Sequence, residues 1–287
     1  MATLKEIKRR IASVVSTRKI TSAMKMVSSA KLHKAQGVLK NLSPYSSALQ
    51  HIMDCLVSGE YKSPLSESRA VRKAALIVFA ADNALCGTYN ANTIKELLKA
   101  VEAYQAQNVE VELYTVGKKV NDFAVKTGMA VARDYEKLSG PSAYAPVAEL
   151  VDELMGQYLK GELDRVEMIF HRFKSTGSQR LVCETFLPLT PTRDESASKS
   201  VAIDYILEPD REALMQSLIP QSLRQQLYAA LLHANASEHA IRMIAMQTAT
   251  DNADELIDEL TVAYNKSRQQ AITSELLDIV GGTVNRE

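Results

Sequence analysis

From Arg211 almost to its end the chain carries one helical pattern, and no other feature limits the possible folds as severely. Leu223, Leu227, Leu231, Ala234, Ala245, Ala249, Ala253, Leu256, Leu260 and Ala263 trace an approximate seam at helical spacing. Pro220 interrupts it early, and Gly281-Gly282 are expected to end it. A helix of roughly 60 residues rises about 90 Å, far more than an ordinary domain spans. Its seam therefore needs a partner helix of similar length. The opening stretch, Leu4 to about Val57, supplies one. There Leu4, Ile7, Ile11, Val14 or Val15, Ile20, Met24 and Val27 form the expected seam. Pro44 either kinks this helix or begins a second one with Ser43 as its N-cap; both readings stay open.

Between the two helices the period changes. Ala74–Ala81 is a short continuous apolar run, the pattern of a strand buried on both faces. Val109–Val116, Val166–Phe173, Leu181–Leu187 and Val201–Leu207 read as further strands. Asn92–Gln107, Lys118–Lys126 and Val147–Leu159 read as helices, and Pro188–Ser200 as a polar loop. Strands alternating with helices predict βαβ units in a sheet covered on both faces. The expected fold is α/β: a long antiparallel coiled coil of the N- and C-terminal helices, residues 1–60 and 210–287, with an inserted Rossmann-like α/β domain over 70–209.

Composition narrows the function classes. Thirty-four basic residues balance 34 acidic ones, so no global field draws the chain to nucleic acid or an anionic membrane. The balance hides an asymmetry. Ten Lys and Arg face one acid, Glu6, between Met1 and Lys40, whereas Asp251, Asp254, Glu255, Asp258 and Glu259 form an acidic stretch. Antiparallel pairing would bring the two together; alternatively the basic helix docks an acidic partner. No aromatic residue lies between Met1 and Lys40 to stack a base, so nucleic acid is not expected. No run reaches the apolar length of a membrane span, so any membrane association is expected to go through a partner. The basic start has no apolar run behind it, and the periodic pattern enters at Leu4; neither a secretory signal nor a transit peptide is expected.

Few residues point to catalysis. Asp82-Asn83-Ala84-Leu85-Cys86-Gly87 follows a strand and precedes a helix, where a nucleotide-binding sheet would hold phosphate, but no GxGxxG or GxxxxGK[ST] is present. Cys55, Cys86 and Cys183 form no CxxC pair. His33, His51, His171, His233 and His239 show no metal-ligand spacing and are read as surface or core residues. A Rossmann-type nucleotide-binding enzyme with helical extensions remains the alternative reading.

Two segments carry a family resemblance. Ile20-Thr21-Ser22-Ala23-Met24-Lys25-Met26-Val27-Ser28-Ser29-Ala30-Lys31-Leu32 resembles the N-terminal signature of the gamma subunits of F-type ATP synthases, bacterial type. Ala249-Thr250-Asp251-Asn252-Ala253 and Glu259 to Leu276 resemble the C-terminal one, and Ser237 to Met243 adds a third match. The middle motif departs: Ala81-Asp82-Asn83-Ala84-Leu85-Cys86-Gly87 lacks the family's usual arginine and glycine. The resemblance implies a central rotor stalk that couples ion-driven rotation of the membrane c-ring to ATP synthesis or hydrolysis on the beta subunits, with no active site of its own. Its implied partners are the alpha, beta and epsilon subunits and the c-ring, and its implied place is the cytoplasmic side of the bacterial inner membrane. No cofactor or metal is implied. Met24 and Lys25 match positions met by acidic loops of beta, Arg268 and Gln269 match positions caught by polar loops of beta, and Arg242, Thr273 and Glu275 match neighbouring coupling positions.

Overall fold

The computed structural model describes residues 3–57, 63–135, 138, 143–189, 208 and 210–284. The elements are α1 (Leu4–Val57), a 3-10 turn (Pro64–Ser66), β1 (Lys73–Phe79), α2 (Tyr89–Gln105), β2 (Glu110–Val116), α3 (Lys118–Lys126), β3 (Val131–Tyr135), α4 (Tyr144–Lys160), β4 (Arg165–Ser175), β5 (Ser178–Leu187) and α5 (Arg211–Val284). Two compact units divide the chain, one of residues 1–29 with 242–287 and one of residues 30–241. The boundary falls inside both long helices.

The larger unit is built on a five-stranded sheet of order β3-β2-β1-β4-β5. Its first four strands are parallel, and β5 returns antiparallel along β4. This is the doubly wound arrangement expected from the alternating pattern. Side chains alternate across β1, so its unbroken apolar run feeds two cores. Ala74, Leu76 and Val78 pack with Leu97 and Val101 of α2 and with Val120 and Ala124 of α3. Ala75, Ile77 and Phe79 pack with Val147, Leu150 and Leu154 of α4 and with Leu223, Leu227 and Leu231 of α5. Each fully buried Leu or Ile here contributes about 2 kcal/mol. The sequence-predicted seam of α5 is thus spent, over this stretch, on the sheet.

The entry to β1 is pinned by polar contacts. Asp164 accepts hydrogen bonds from the backbone N–H groups of Arg72 and Lys73 at 2.9 and 3.2 Å. The Arg69 guanidinium lies 4.4 Å from the centre of the Tyr158 ring, whose hydroxyl donates to the Glu67 carbonyl at 2.7 Å. These contacts fix the start of the central strand relative to α4.

Several expectations need revision. α1 is one helix through Pro44, and α5 runs unbroken through Pro220. A proline inside a helix costs about 3 kcal/mol, and the tertiary packing of Leu49, Ile219 and Leu223 beside the two prolines offsets it. α5 also continues past Gly281 and Gly282 to Val284, since glycine lowers helix stability without forbidding the conformation. The sequence reading missed β3, an edge strand with no fully buried residue. Its half-polar run Val131-Ala132-Arg133-Asp134-Tyr135 carries no two-residue alternation. The expected strand Val201–Leu207, and all of the expected loop beyond Leu189, lie outside the described residues.

One thiol has a testable environment. Cys183 on β5 lies 3.5 Å from the Glu167 carboxylate, and desolvation together with that charge pushes the thiol up to about 12. Solvent still reaches the residue. Discounted for that access, its alkylation by iodoacetamide at neutral pH should run about a hundredfold slower than that of an unperturbed cysteine. Glu167→Gln should speed it, as read by peptide mass spectrometry. Equal rates in both proteins would mean that the carboxylate does not control the thiol.

Candidate partner-binding surface

In the smaller unit α1 and α5 run antiparallel. Arg18 meets Asp254 at 2.8 Å, and the hydroxyls of Thr21 and Thr250 meet at 2.8 Å. These contacts set the register. Leu4 precedes Arg18 by fourteen residues, and fourteen residues beyond Asp254 lies Arg268, so α5 from Arg268 onward extends past the start of α1.

The seam is not the one expected. Ile7 is buried as predicted, but Ile20 is 59% exposed and Val27 57% exposed. Thr21 and Ser28 take the inside positions instead, facing a strip of α5 where Met246 and Ala253 are buried. The physical reason is size. Small side chains let the helix axes approach, and each inward hydroxyl bonds locally: Thr21 to the Arg18 carbonyl at 3.0 Å, Ser28 to the Met24 carbonyl at 2.8 Å. Larger aliphatic groups are displaced outward. Met26, Ile244, Val262, Ile272, Leu276 and Leu277 join Ile20 and Val27 on the surface. An exposed apolar surface of this kind marks a contact site for another molecule.

Charge behaves similarly. Among the described residues, one ion pair, Arg18–Asp254, joins the basic stretch of α1 to the acidic stretch of α5. Both partners are about half exposed, so the pair adds under about 1 kcal/mol. Lys5, Lys8, Arg9, Arg10 and Lys19 are exposed. Mutual neutralisation therefore accounts for little of the asymmetry.

The seven sequence-predicted positions fall into two groups. Met24 and Lys25 are half-buried on α1, and Arg242, 9% exposed, lies on α5 at the level of Ser29 by the same register. Arg268, Gln269, Thr273 and Glu275 are exposed on the part of α5 that outruns α1. Twenty-six residues separate Arg242 from Arg268, about 39 Å of helix rise. Arg242 and the Thr273–Glu275 stretch therefore lie at different levels of α5. Sequence reasoning assigned Ile20 and Val27 to the interior. The signal that placed them outside was present in the flanking Thr21 and Ser28, one step along the helix.

In the larger unit, the turn beyond β1, where a doubly wound sheet would take a nucleotide, is partly covered by α5, while Asn83, Ala84, Leu85, Gly87 and Thr88 stay exposed. Ala81, Cys86 and Tyr89 are buried and pack against Ile241 of α5. The Tyr89 hydroxyl donates to the Ala234 carbonyl at 3.2 Å, and its ring stacks 4.3 Å from His171. Ser237 donates to the His171 carbonyl at 2.9 Å. Burial drives the His171 imidazole down to about 4, so it stays neutral at physiological pH. The small residues Ala234, Ser237 and Ala240 allow this close seating of α5.

Comparison with known proteins agrees with this geometry. A family model described as ATP synthase matches residues 3–284. The ATP synthase gamma chain of Bacteroides thetaiotaomicron is 48% identical, over 99% of this chain and 100% of its own length. The chain belongs to the ATP synthase gamma chain family. Another gamma chain, from Flavobacterium johnsoniae, is 42% identical over 98% of both chains. A chain in the Euglena gracilis mitochondrial ATP synthase OSCP/F1/c-ring structure matches with a TM-score of 0.65 at 18% identity, covering 98% of this chain and 94% of that one. One in the Tetrahymena thermophila central stalk and c-ring structure matches at 0.61 and 23%, covering 80% and 99%. These gamma-chain likenesses extend through both compact units, including the helices that carry the outward-facing aliphatic residues.

Proposed function

We propose that this chain is the central rotor subunit of an F-type ATP synthase and that it acts by contact, without catalysing a reaction itself. The observation that carries the proposal is the partly inverted seam in a gamma-family chain: Thr21 and Ser28 inside, Ile20, Val27 and Met26 outside. A helix pair of that kind gains from being enclosed. The enclosing partners are the alpha and beta subunits, and the larger unit meets epsilon and the c-ring. In functional terms residues 1–60 and 210–287 form the shaft, and 70–209 the domain that joins it to the ring. The shaft presents different residues in different directions, so equivalent subunits around it experience different contact energies. Each is thereby biased towards a different conformation. Met24, Lys25 and Arg242 form one contact level; Arg268, Gln269, Thr273 and Glu275 form the other.

The chain works at the cytoplasmic side of a bacterial inner membrane. Among the described residues no helix is long and apolar enough to cross a membrane, so the attachment is indirect, through the c-ring. The primary test is co-purification. A tagged chain, recovered from gently solubilised membranes, should bring alpha, beta and epsilon subunits with it; recovery without them would refute the assignment.

Met24→Lys tests the contact level of Met24, Lys25 and Arg242. Met24 is half-buried, so its stem can remain in place while a new cation reaches the surface. An ion pair with beta worth about 1.4 kcal/mol at one angle would slow passage through that angle about tenfold. ATP-driven ion pumping should therefore fall about tenfold while the melting curve of the chain stays close to wild type. Wild-type pumping would remove Met24 from the contact surface.

A further inference from the structure

Little apolar burial holds the smaller unit together. Among the described residues its buried hydrophobic side chains are Ile7 on α1 and Met246 and Ala253 on α5. The row of α1 turned towards α5 runs Ile7, Ile11, Val14, Arg18, Thr21, Lys25, Ser28 at steps of three and four, each residue buried or half-buried. From Arg18 on this row has no aliphatic residue, where a stable helix pair carries leucine, isoleucine or valine. The next residue in the row, Leu32, is 4% exposed and belongs to the larger unit.

The polar contacts across the pair add little to this. Thr21 meets the Arg18 carbonyl at 3.0 Å, Thr250 meets the Met246 carbonyl at 2.8 Å, and the two hydroxyls meet each other at 2.8 Å. Each hydroxyl has one hydrogen, so two hydrogens serve three contacts. The bond between the helices forms only when a bond within one of them is given up. When the helices part, both threonines donate to their own helix, and Ser28 keeps the Met24 carbonyl at 2.8 Å. Separation therefore leaves none of these donors unsatisfied. The half-exposed Arg18–Asp254 pair exchanges for water at small cost.

We propose that residues 4–28 of α1 form a latch, which opens from α5 as one segment in the free chain and is closed by the partner that encloses the pair. A partner that binds only the paired helices favours them by mass action. The closure rests on the rotor assignment; the opening does not.

Amide hydrogen exchange of the full chain, read by mass spectrometry, tests the latch. A lone helix without a packed face is marginal in water, so opening removes protection. Amides of residues 8–28 should exchange at one common rate, at least about a hundredfold faster than those of β1, with protection rising sharply near Leu32. Protection equal to that of β1 overturns the proposal. So does protection that climbs steadily from Leu4, which is simple fraying. Thr21→Cys/Thr250→Cys supplies a second readout. Reduced, it should exchange as wild type does; oxidised to the disulfide, it should exchange at least about tenfold more slowly over residues 8–28. No slowing on oxidation would mean that exchange does not require the helices to separate, and overturns the latch. In the complex recovered with a tagged chain, the same amides should be as protected as β1. An unprotected segment there overturns the closure, whereas absence of alpha and beta subunits counts against the rotor assignment alone.

Discussion

Gly117→Ala is expected to destabilise the larger unit by about 4 kcal/mol. Gly117 joins β2 to α3 at a φ of 104°, a conformation that residues with a Cβ rarely adopt. A Cβ built there would lie 2.1 Å from the Ala80 carbonyl oxygen and 2.8 Å from its carbon. Neither side can yield easily. The Ala80 N–H donates to Val116 at 2.8 Å, and the Gly117 N–H donates to Tyr135 at 3.1 Å, so the ends of β1, β2 and β3 are tied together at this point. Gly128→Ala is the matched control. Its φ is 71°, but nothing stands within 4 Å of the added carbon, so only the left-handed conformation resists it, at about 1 kcal/mol. Urea or thermal unfolding of the two variants should differ by several kcal/mol. Equal destabilisation would mean that the approach of Ala80 imposes no restraint.

The second large effect is a loss of stability in acid centred on His171. In the unfolded chain an imidazole titrates near 6.5; folded, this one is held down to about 4 by loss of hydration. Above pH 6.5 both states are neutral there, and stability is complete. As pH falls below 6.5, the unfolded chain binds a proton that the folded chain refuses, and the balance tips towards unfolding. The loss accumulates until about pH 4, where the folded state also protonates, and it totals about 3 kcal/mol. Burial and the nearby Arg172 lower His233 as well, and it adds to the loss in the same direction. His171→Phe, which preserves the stack on Tyr89, should flatten the dependence between pH 6.5 and 4 and leave the smaller slope from His233. Parallel curves for wild type and variant, from urea midpoints across this range, would exclude His171 as the source.

The sheet and the long helices were legible in the sequence because each expresses one dominant period. Ala74–Phe79 is apolar at every position, as a central parallel strand buried on both sides must be, and Leu223-Leu227-Leu231 keeps helical spacing because it lies on that sheet. The reading failed where hydrophobicity and burial part company. Ile20 and Val27 looked interior because they are aliphatic at helical spacing, yet a thin pair of helices has little interior, and Thr21 and Ser28 win it by being small. β3 failed for the opposite reason: an edge strand buries too little to need alternation. Pro220 looked like a break, and Pro44 like either a kink or a break, because local propensity is visible in sequence and the packing that overrides it is not. The seating of α5 against Tyr89 and His171 was hidden for a similar reason. The small residues Ala234, Ser237 and Ala240 are unremarkable one at a time, and their meaning depends on Tyr89 and His171, far away in the chain.

The inversion of the helix pair also bears on friction. Hydrogen bonds and ion pairs are directional, so a surface covered with them resists sliding by a succession of discrete ruptures. Aliphatic contact is non-directional and scales with the area removed from water. A sleeve turning around Ile20, Val27 and Val262 would trade one patch of hydrocarbon for another at nearly constant area, and that part of its path would be smooth. By turning Thr21, Ser28 and Thr250 inward, the pair keeps those directional bonds to itself and leaves aliphatic stretches between the charged side chains of its exterior.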